Sequence, residues 1–311
     1  MANTILKATQ IIASGLGVLE REIVLPRLIA SDANVYFSQR SPANDTVSLR
    51  IPGRTVARDY AWRNDRSTAI QVDDLNEFKV DVKLDTHIYN AIGLTDEELT
   101  LDIEDFTNQV LLPQTRAVAE RLEGKIADKI SGAAYPTDSV IDIGGSGGFY
   151  NSLVDSRKVL NDNNVPASGR ICLVGTGVEQ VVLKDEQFKK FDQAGDNSAL
   201  REATIGRVAG FTVVTSNSIP EDEAYVFHPS AFQAVYRAPQ VPRGVAFGEA
   251  QSYSGLAMRW IQDYDSDHLR DRSVLSTFFG ISVVTDPDDY TDAGSPTSLK
   301  RAVKLTLDTT P

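Results

Sequence analysis

Cysteine is almost missing from this chain: Cys172 is the only one in 311 residues. One thiol excludes an internal disulfide framework and fits a reducing compartment. It lies in the apolar run Ile171-Cys172-Leu173-Val174, where burial as a small hydrophobe is expected rather than service as a nucleophile. Histidine is nearly as scarce. His87, His228 and His268 have no paired metal-ligand spacing, and with one cysteine they leave few ligands for a zinc site. Positive charge is also short, with 31 Lys and Arg against 43 Asp and Glu and a net charge of −12. A surface built to grip nucleic acid needs clustered basic residues. The balance excludes such a grip but not lying beside nucleic acid. No apolar run approaches the roughly 20 residues of a membrane span. The run after Lys7 is broken by Ser14, Gly15 and Gly17, unlike a signal peptide. No segment recurs at a fixed period, which excludes a solenoid.

Complete catalytic motifs are missing too. Asp263, Asp265 and Asp267 imitate the start of a calcium loop, but its sixth position is His268 and its twelfth Val274, where glycine and glutamate belong. They read as the wet side of a strand. Asp286, Asp288, Asp289 and Asp292 surround Pro287 and read as a turn. Gly144 to Gly148 contains no Gly-Lys-Ser or Gly-Lys-Thr ending, so it reads as a flexible linker rather than a phosphate loop. Gly175-Thr176-Gly177 follows a strand pattern, but the third glycine of a dinucleotide fingerprint falls on Gln180. There is no nucleophile elbow. These absences assign no catalytic residue, no metal and no cofactor.

The most regular stretch present is Asp102 to Ser131. Phe106, Val110, Val118, Leu122, Ile126 and Ile130 fall four apart, with Gln114 breaking the row. That spacing keeps one face apolar and predicts a helix of roughly 45 Å. Asp102 is the expected N-cap and Gly132 the expected left-handed C-cap. Pro113 predicts a kink or a restart. Upstream, residues 1–45 read as an arm. Ile11, Ile12, Leu16 and Leu19 are apolar, and Leu25-Pro26 is expected to stop any helix there. A segment so apolar with so little regular pattern needs cover from another domain or subunit.

Residues 46–90 read as a long β-hairpin. Val47, Leu49 and Ile51 alternate on the way out, and Phe78, Val80, Val82 and Leu84 on the return. The long loop between them suggests a binding role. Arg50, Arg54, Arg58, Arg63 and Arg66 face only Asp59 and Asp65 over residues 50–66. Nearby, Asp96, Glu97, Glu98, Asp102, Glu104 and Asp105 form an acidic stretch without a base. Thr95 and Glu98 suit a capping box, while Leu99, Leu101 and Ile103 alternate like a strand. Residues 149–234 read as a compact α/β lobe, with a strand at Ile171 to Val174 and a helix from Thr176 through Phe191. From Ala234 to Asp289 strand patterns dominate, with Ser273 to Thr285 as a buried strand. Val303, Leu305 and Leu307 predict a last strand.

In order and spacing these elements resemble the major capsid (coat) protein family of tailed bacteriophages, closest to the coat-protein branch of short-tailed phages. The resemblance rests most on Val165-Pro166-Ala167-Ser168-Gly169-Arg170 leading into Ile171 to Gly175. It rests also on Ile205-Gly206-Arg207-Val208-Ala209-Gly210 leading through Phe211 to Asn217, with Ile219-Pro220 and Ala224 to Ala231 after it. It implies an α+β fold with an N-terminal arm (1–45) and an extended loop reaching over a neighbour (46–90). A spine helix with the first part of a peripheral domain (91–140), an axial domain (141–233), a second peripheral part (234–290) and a C-terminal tail (291–311) follow. It implies a structural role rather than an enzyme: hexamers and pentamers of an icosahedral shell around double-stranded DNA, in the virion and assembled in the host cytoplasm. The expected partners are further copies of the chain, a separate scaffolding protein, a portal protein and a decoration protein, with no membrane. The inter-subunit contacts are expected at the five loop arginines, the six acids and the four apolar arm residues. Some members of the family weld loop lysines to neighbours; residues 54–76 contain no lysine, so no such bond is expected through this segment. The alternatives are an encapsulin-type nanocompartment shell and, from another class, a nucleotide-binding enzyme on the 149–234 lobe.

Overall fold

The computed structural model describes residues 24–31, 45–52, 106–143, 148–184 and 206–307 together with most of 55–101. Outside the description within those spans are 56, 61, 64–65, 68, 71, 73–74, 99–100, 246, 254–255, 291 and 293. The apolar arm residues Ile11, Ile12, Leu16 and Leu19 lie outside the described residues, as do Arg54, Asp102, Glu104 and Asp105.

The long helix is built as its spacing predicts from Leu112 onward. Helix α2 (Leu112–Ser131) buries Val118, Leu122, Ile126 and Ile130, with Ala119 and Ala127 beside them. A π-helical turn, Thr107–Leu111, precedes it, and the Leu112 N–H donates to the Thr107 carbonyl. Phe106, Leu111 and Leu112 all keep right-handed helical dihedrals, so the helix is continuous, and Pro113 falls where the π turn gives way to α2, a local adjustment around its missing N–H rather than a restart. Gly132 closes the helix at φ −85°, not in the left-handed region. Glycine is needed there for closeness instead, because a Cβ would stand 2.9 Å from the Asp128 carbonyl oxygen.

Gln114, the break in the apolar row, is fully buried. Its Nε2 donates to the Ser273 carbonyl at 2.9 Å, and its Oε1 accepts from Ser273 Oγ at 2.8 Å. Ser273 Oγ in turn accepts from Trp260 Nε1 at 2.9 Å. The polar position is a bolt between helix and sheet, and its buried groups are satisfied.

That sheet is antiparallel, in the order β10 (Phe247–Tyr253), β11 (Leu256–Asp265), β12 (Arg270–Val283), β3 (Thr86–Thr95). Phe278 pairs with His87 of β3 and also with Arg237 of β9 (Phe232–Arg237). Strand β9 thus takes the β11 side of β12, beyond the point where β11 ends. Trp260 pairs with Leu275, and both are buried on the α2 face. Phe106 meets the Trp260 ring edge-on, with centroids 6.0 Å apart.

A second sheet has the order β4 (Val140–Asp142), β15 (Ala302–Thr306), β8 (Glu223–Phe227), β5 (Ile171–Val174), β7 (Phe211–Thr215), β6 (Arg207–Val208). The expected last strand is therefore present, and it lies inside this sheet. Both faces are covered. Ile171 and Leu173 join the core around α2, while Cys172 and Val174 join a separate core. Helices α3 (Gly148–Asp162) and α4 (Thr176–Lys184) supply Phe149, Leu153, Leu160, Val178 and Val182 to that second core. Two buried faces explain a strand with no polar alternation. Burial pushes the Cys172 thiol far up, which leaves it inert. Arg170 is buried with its guanidinium on the carbonyls of Val165 and Pro166 and on Asn161 Oδ1. It clamps the turn that leads into β5.

The two sheets meet at His228. Its Nδ1 lies 2.9 Å from Ser230 Oγ and accepts from the Ser230 N–H at 3.3 Å. Arg301 donates to the same Ser230 Oγ at 3.2 Å and pairs with the buried Asp286. Asp286 is thus an ion-pair partner in β13 (Asp286–Pro287), where the sequence pattern suggests only a turn. Burial first, then Arg301 and Arg170, hold the His228 pKa below its ordinary 6.5. The unfolded chain therefore binds more protons just below pH 6.5, so stability falls as pH drops through that value. His87 is shifted the same way by burial and Arg259. We expect urea midpoints to be flat above about pH 7 and to fall below it. His228→Gln is expected to make that acid limb shallower, with His87 carrying the remainder; an unchanged limb would assign it to other groups.

The arm shows one departure. Leu25–Leu28 forms a short helix, α1, with Pro26 in its first turn and Leu25 and Pro26 buried. Proline starts this helix rather than stopping it, since an N-terminal position needs no N–H donor. Glu123 of α2 accepts from the backbone N–H groups of Val24 and Leu25. Ala30 then bridges to Gln233 of β9. This part of the arm is covered by its own subunit.

Candidate functional site

Strands β1 (Thr46–Ile51) and β2 (Phe78–Lys83) pair antiparallel from Thr46↔Lys83 to Ile51↔Phe78. The alternation dictates which side is dry. Val47 and Val82 pack on Val235, and Ile51 and Val80 pack on Val284. The opposite side is wet and carries Ser48–Asp81 at 2.6 Å and Lys79–Asp81 at 3.6 Å. The hairpin base crosses β12, where Ser282 Oγ donates to the Asp81 carbonyl at 2.9 Å.

Beyond Ile51 and Phe78 the chain continues as an exposed loop. Arg50 reaches Glu77 at 3.8 Å, with both side chains mostly in water, so the pair contributes only ~0–1 kcal/mol. Arg58, Arg63 and Arg66 are exposed, and Asp59 beside them is also exposed. Arg66 lies over the Tyr60 ring, 5.5 Å from its centroid. Arg63 and Arg66 both adopt positive φ, 59° and 60°, a left-handed backbone that arginine seldom takes. The sequence reading missed the loop's apolar side chains. Trp62 is 88% exposed, and Ile70, Val72 and Leu75 are exposed with it.

At the far end of β3 lies the acidic stretch. Thr95 and Glu98 close the expected capping box: the Thr95 N–H donates to Glu98 at 2.9 Å, and the Glu98 N–H to Thr95 Oγ1 at 3.3 Å. Asp96 accepts from the Tyr264 hydroxyl at 3.2 Å. Asp96 and Glu97 are helical, and Leu101, the one described residue of the expected Leu99-Leu101-Ile103 strand, is helical and exposed. The capping box explains the difference, since it turns the chain immediately after β3. Asp102, Glu104 and Asp105 fall outside the described residues. The loop base and this stretch are separated by β3, whose ten residues span roughly 30 Å. Among the described residues the structure brings Asp96 to Tyr264 and Arg50 to Glu77.

The features that imitate reactive sites have structural occupations. A Cβ on Gly175 would stand 2.9 Å from the Glu221 carbonyl oxygen and closer still to that of Pro220. The Val178 N–H donates to Glu221 O at 3.1 Å. The start of α4 is therefore filled by the chain's own carbonyls, and the two glycines permit that approach instead of cradling a phosphate. Asp263 pairs with Arg272, and Asp265 holds His268 and Arg270. Asp267 lies in the turn after β11, not on the strand, and its N–H donates to Asp265 at 3.2 Å. Among the described residues no group of three His, Cys, Asp or Glu is arranged to hold a metal ion, and no helix is long and apolar enough to cross a membrane.

Residues 76–293 match the family model described as phage capsid protein. No curated protein matches the chain. Solved structures do. That of Mycobacterium phage Che8 is similar with a TM-score of 0.63 at 19% identity, covering 91% of this chain and 90% of that one. The capsid of cyanophage P-SCSP1u matches with a TM-score of 0.64 at 14% identity, over 93% and 89% of the two chains. The capsid of Ralstonia phage GP4 matches with a TM-score of 0.60 at 11% identity, over 91% and 88%.

Proposed function

Because the chain belongs to the phage capsid protein family, and is thereby a structural major capsid protein of an icosahedral shell, we propose that this shell consists of hexamers and pentamers and encloses double-stranded DNA. The observation that carries the reading is the family match over more than two thirds of the chain. The net charge of −12 supports it, because DNA packed at high density does not then adhere to the wall. Assembly takes place in the host cytoplasm with a separate scaffolding protein, a portal protein and a decoration protein. Residues 46–90 form the extended loop that lies over a neighbouring subunit. Residues 91–140 and 234–290 form the peripheral domain and residues 141–233 the axial domain. The apolar residues Ile11, Ile12, Leu16 and Leu19 pack across a subunit boundary, since a repeated apolar patch does not stay in water. The nanocompartment and enzyme alternatives are not favoured by this family membership.

Electron microscopy of particles from infected cells, with nuclease-protected DNA measured on the same fractions, tests the reading. We expect closed icosahedral particles built of this chain, with DNA inside the full ones. Particles loaded with an enzyme and free of DNA would support the nanocompartment instead.

A further inference from the structure

We propose that Trp62 is the anchor of the inter-subunit contact, seated in a second copy of the chain on the aromatic and acidic surface where β3 leads into the long helix. This rests on the reading of the chain as a shell subunit. The two tryptophans divide sharply: Trp260 is 2% exposed and Trp62 88% exposed. A large aromatic side chain held out in water is the residue type that dominates interface energy once covered. It stands beside Arg63 and between Arg58 and Arg66, so its segment is apolar and basic together.

The complementary surface is on the α2 face of the first sheet. Phe247 pairs with Gln262, two residues from Tyr264 on β11. Phe247 and Tyr264 therefore share one face at diagonal positions, and that face is the one that carries Trp260. Both are exposed, at 60% and 51%, and Leu101 nearby in sequence to Asp96 is exposed at 78%. The Tyr264 hydroxyl bonds Asp96, and Glu97 is exposed next to it. This surface is apolar and acidic together, the counterpart of the loop in both respects. The base of its own loop lies the length of β3 away, and the occupant we assign is the loop of another copy, which the reading of the chain as a shell subunit supplies. Arginine beside tryptophan matches carboxylate beside tyrosine and phenylalanine.

Acrylamide quenching of tryptophan emission tests this, on unassembled subunits and on shells verified by electron microscopy. Trp260 supplies a constant protected background. We expect the quenchable fraction present in subunits to be lost in shells, and Trp62→Phe to remove that change. Trp62→Ala is expected to raise the subunit concentration needed for assembly at least about tenfold. The seat is tested by Trp62→Cys combined with Phe247→Cys, against a background whose only thiol is buried. Mild oxidation of shells should give reducible oligomers from the double variant and none from either single variant. Verified shells in which Trp62 stays fully quenchable would overturn the anchor while leaving the shell reading intact. Protection of Trp62 without disulfide oligomers would overturn the seat. Failure of the wild-type chain to build any particle would overturn the shell reading and this inference with it.

Discussion

Gly280→Ala is expected to lower the unfolding free energy by at least ~4 kcal/mol and to cut the yield of soluble subunits sharply. Gly280 lies in β12, paired with Val235 of β9. A Cβ there would stand 2.8 Å from the Lys83 carbonyl carbon and 3.1 Å from Leu84 Cα, and closer still to the Lys83 oxygen. All three atoms belong to backbone, where the β2–β3 connection crosses the sheet, so no side chain can swing away. The crossing is pinned on both sides, by the Leu84 N–H to Asp45 O at 2.8 Å and by Ser282 to Asp81. Forced displacement of two strands belongs to the severe tail of single substitutions, at least ~4 kcal/mol. Total stabilities are only ~5–15 kcal/mol. Gly124 in α2 is the control: a Cβ added there meets nothing within 4 Å. Gly124→Ala is expected to stabilise by up to ~1 kcal/mol through helix propensity. Soluble yield and the urea midpoint of both variants check this. A Gly280→Ala subunit with the wild-type midpoint would show that the connection does not cross there.

The positions that were hardest to read from the sequence share a physical cause. Periodicity reports which face of an element is dry, and it does so well here: β1, β2 and α2 carry their buried residues where the spacing puts them. It says nothing about what lies on the far side of that face. Gln114 looks like a defect in the apolar row because its partner, Ser273, is 159 residues away. Gly280 looks like any small residue in a buried strand, and only the crossing of Lys83 gives it a reason. Pro26 is a stop in sequence and a start in structure, because its role depends on where the helix begins. Glycine inside an apolar strand was the available signal for close backbone approach. For the loop the charge pattern is visible, but nothing in it singles out Trp62, since only the fold reveals its exposure.

Reversing three loop charges is expected to block shell assembly while leaving the subunit folded. Over residues 50–66 the chain carries five arginines and two acids, and over residues 96–105 six acids and no base. Arg54→Glu, Arg58→Glu and Arg63→Glu together turn a local net charge of +3 into −3. Arg58 and Arg63 are exposed, and no described residue of the loop belongs to either core, so the unfolding free energy should move by no more than ~0.5 kcal/mol per site. Each exposed pair between subunits contributes only ~0–1 kcal/mol. Reversal adds like-charge repulsion to the loss of attraction, and the same contact recurs at every subunit of a shell. The range of these charges is set by screening over ~8–10 Å near physiological salt. Assembly of the triple variant should therefore be lost at low ionic strength and partly recovered as salt rises. The wild-type contact should show the opposite tendency, weakening with salt. If the partners are the acids after β3, Asp96→Lys with Glu97→Lys in the triple variant should restore particles at low salt. Light scattering and electron microscopy across a salt series, with the unfolding midpoint measured on the same preparations, separate these outcomes. Particles of wild-type yield and wild-type salt tolerance from the triple variant would remove the charged contact, and failure of the compensating pair to recover them would place the acidic partner elsewhere.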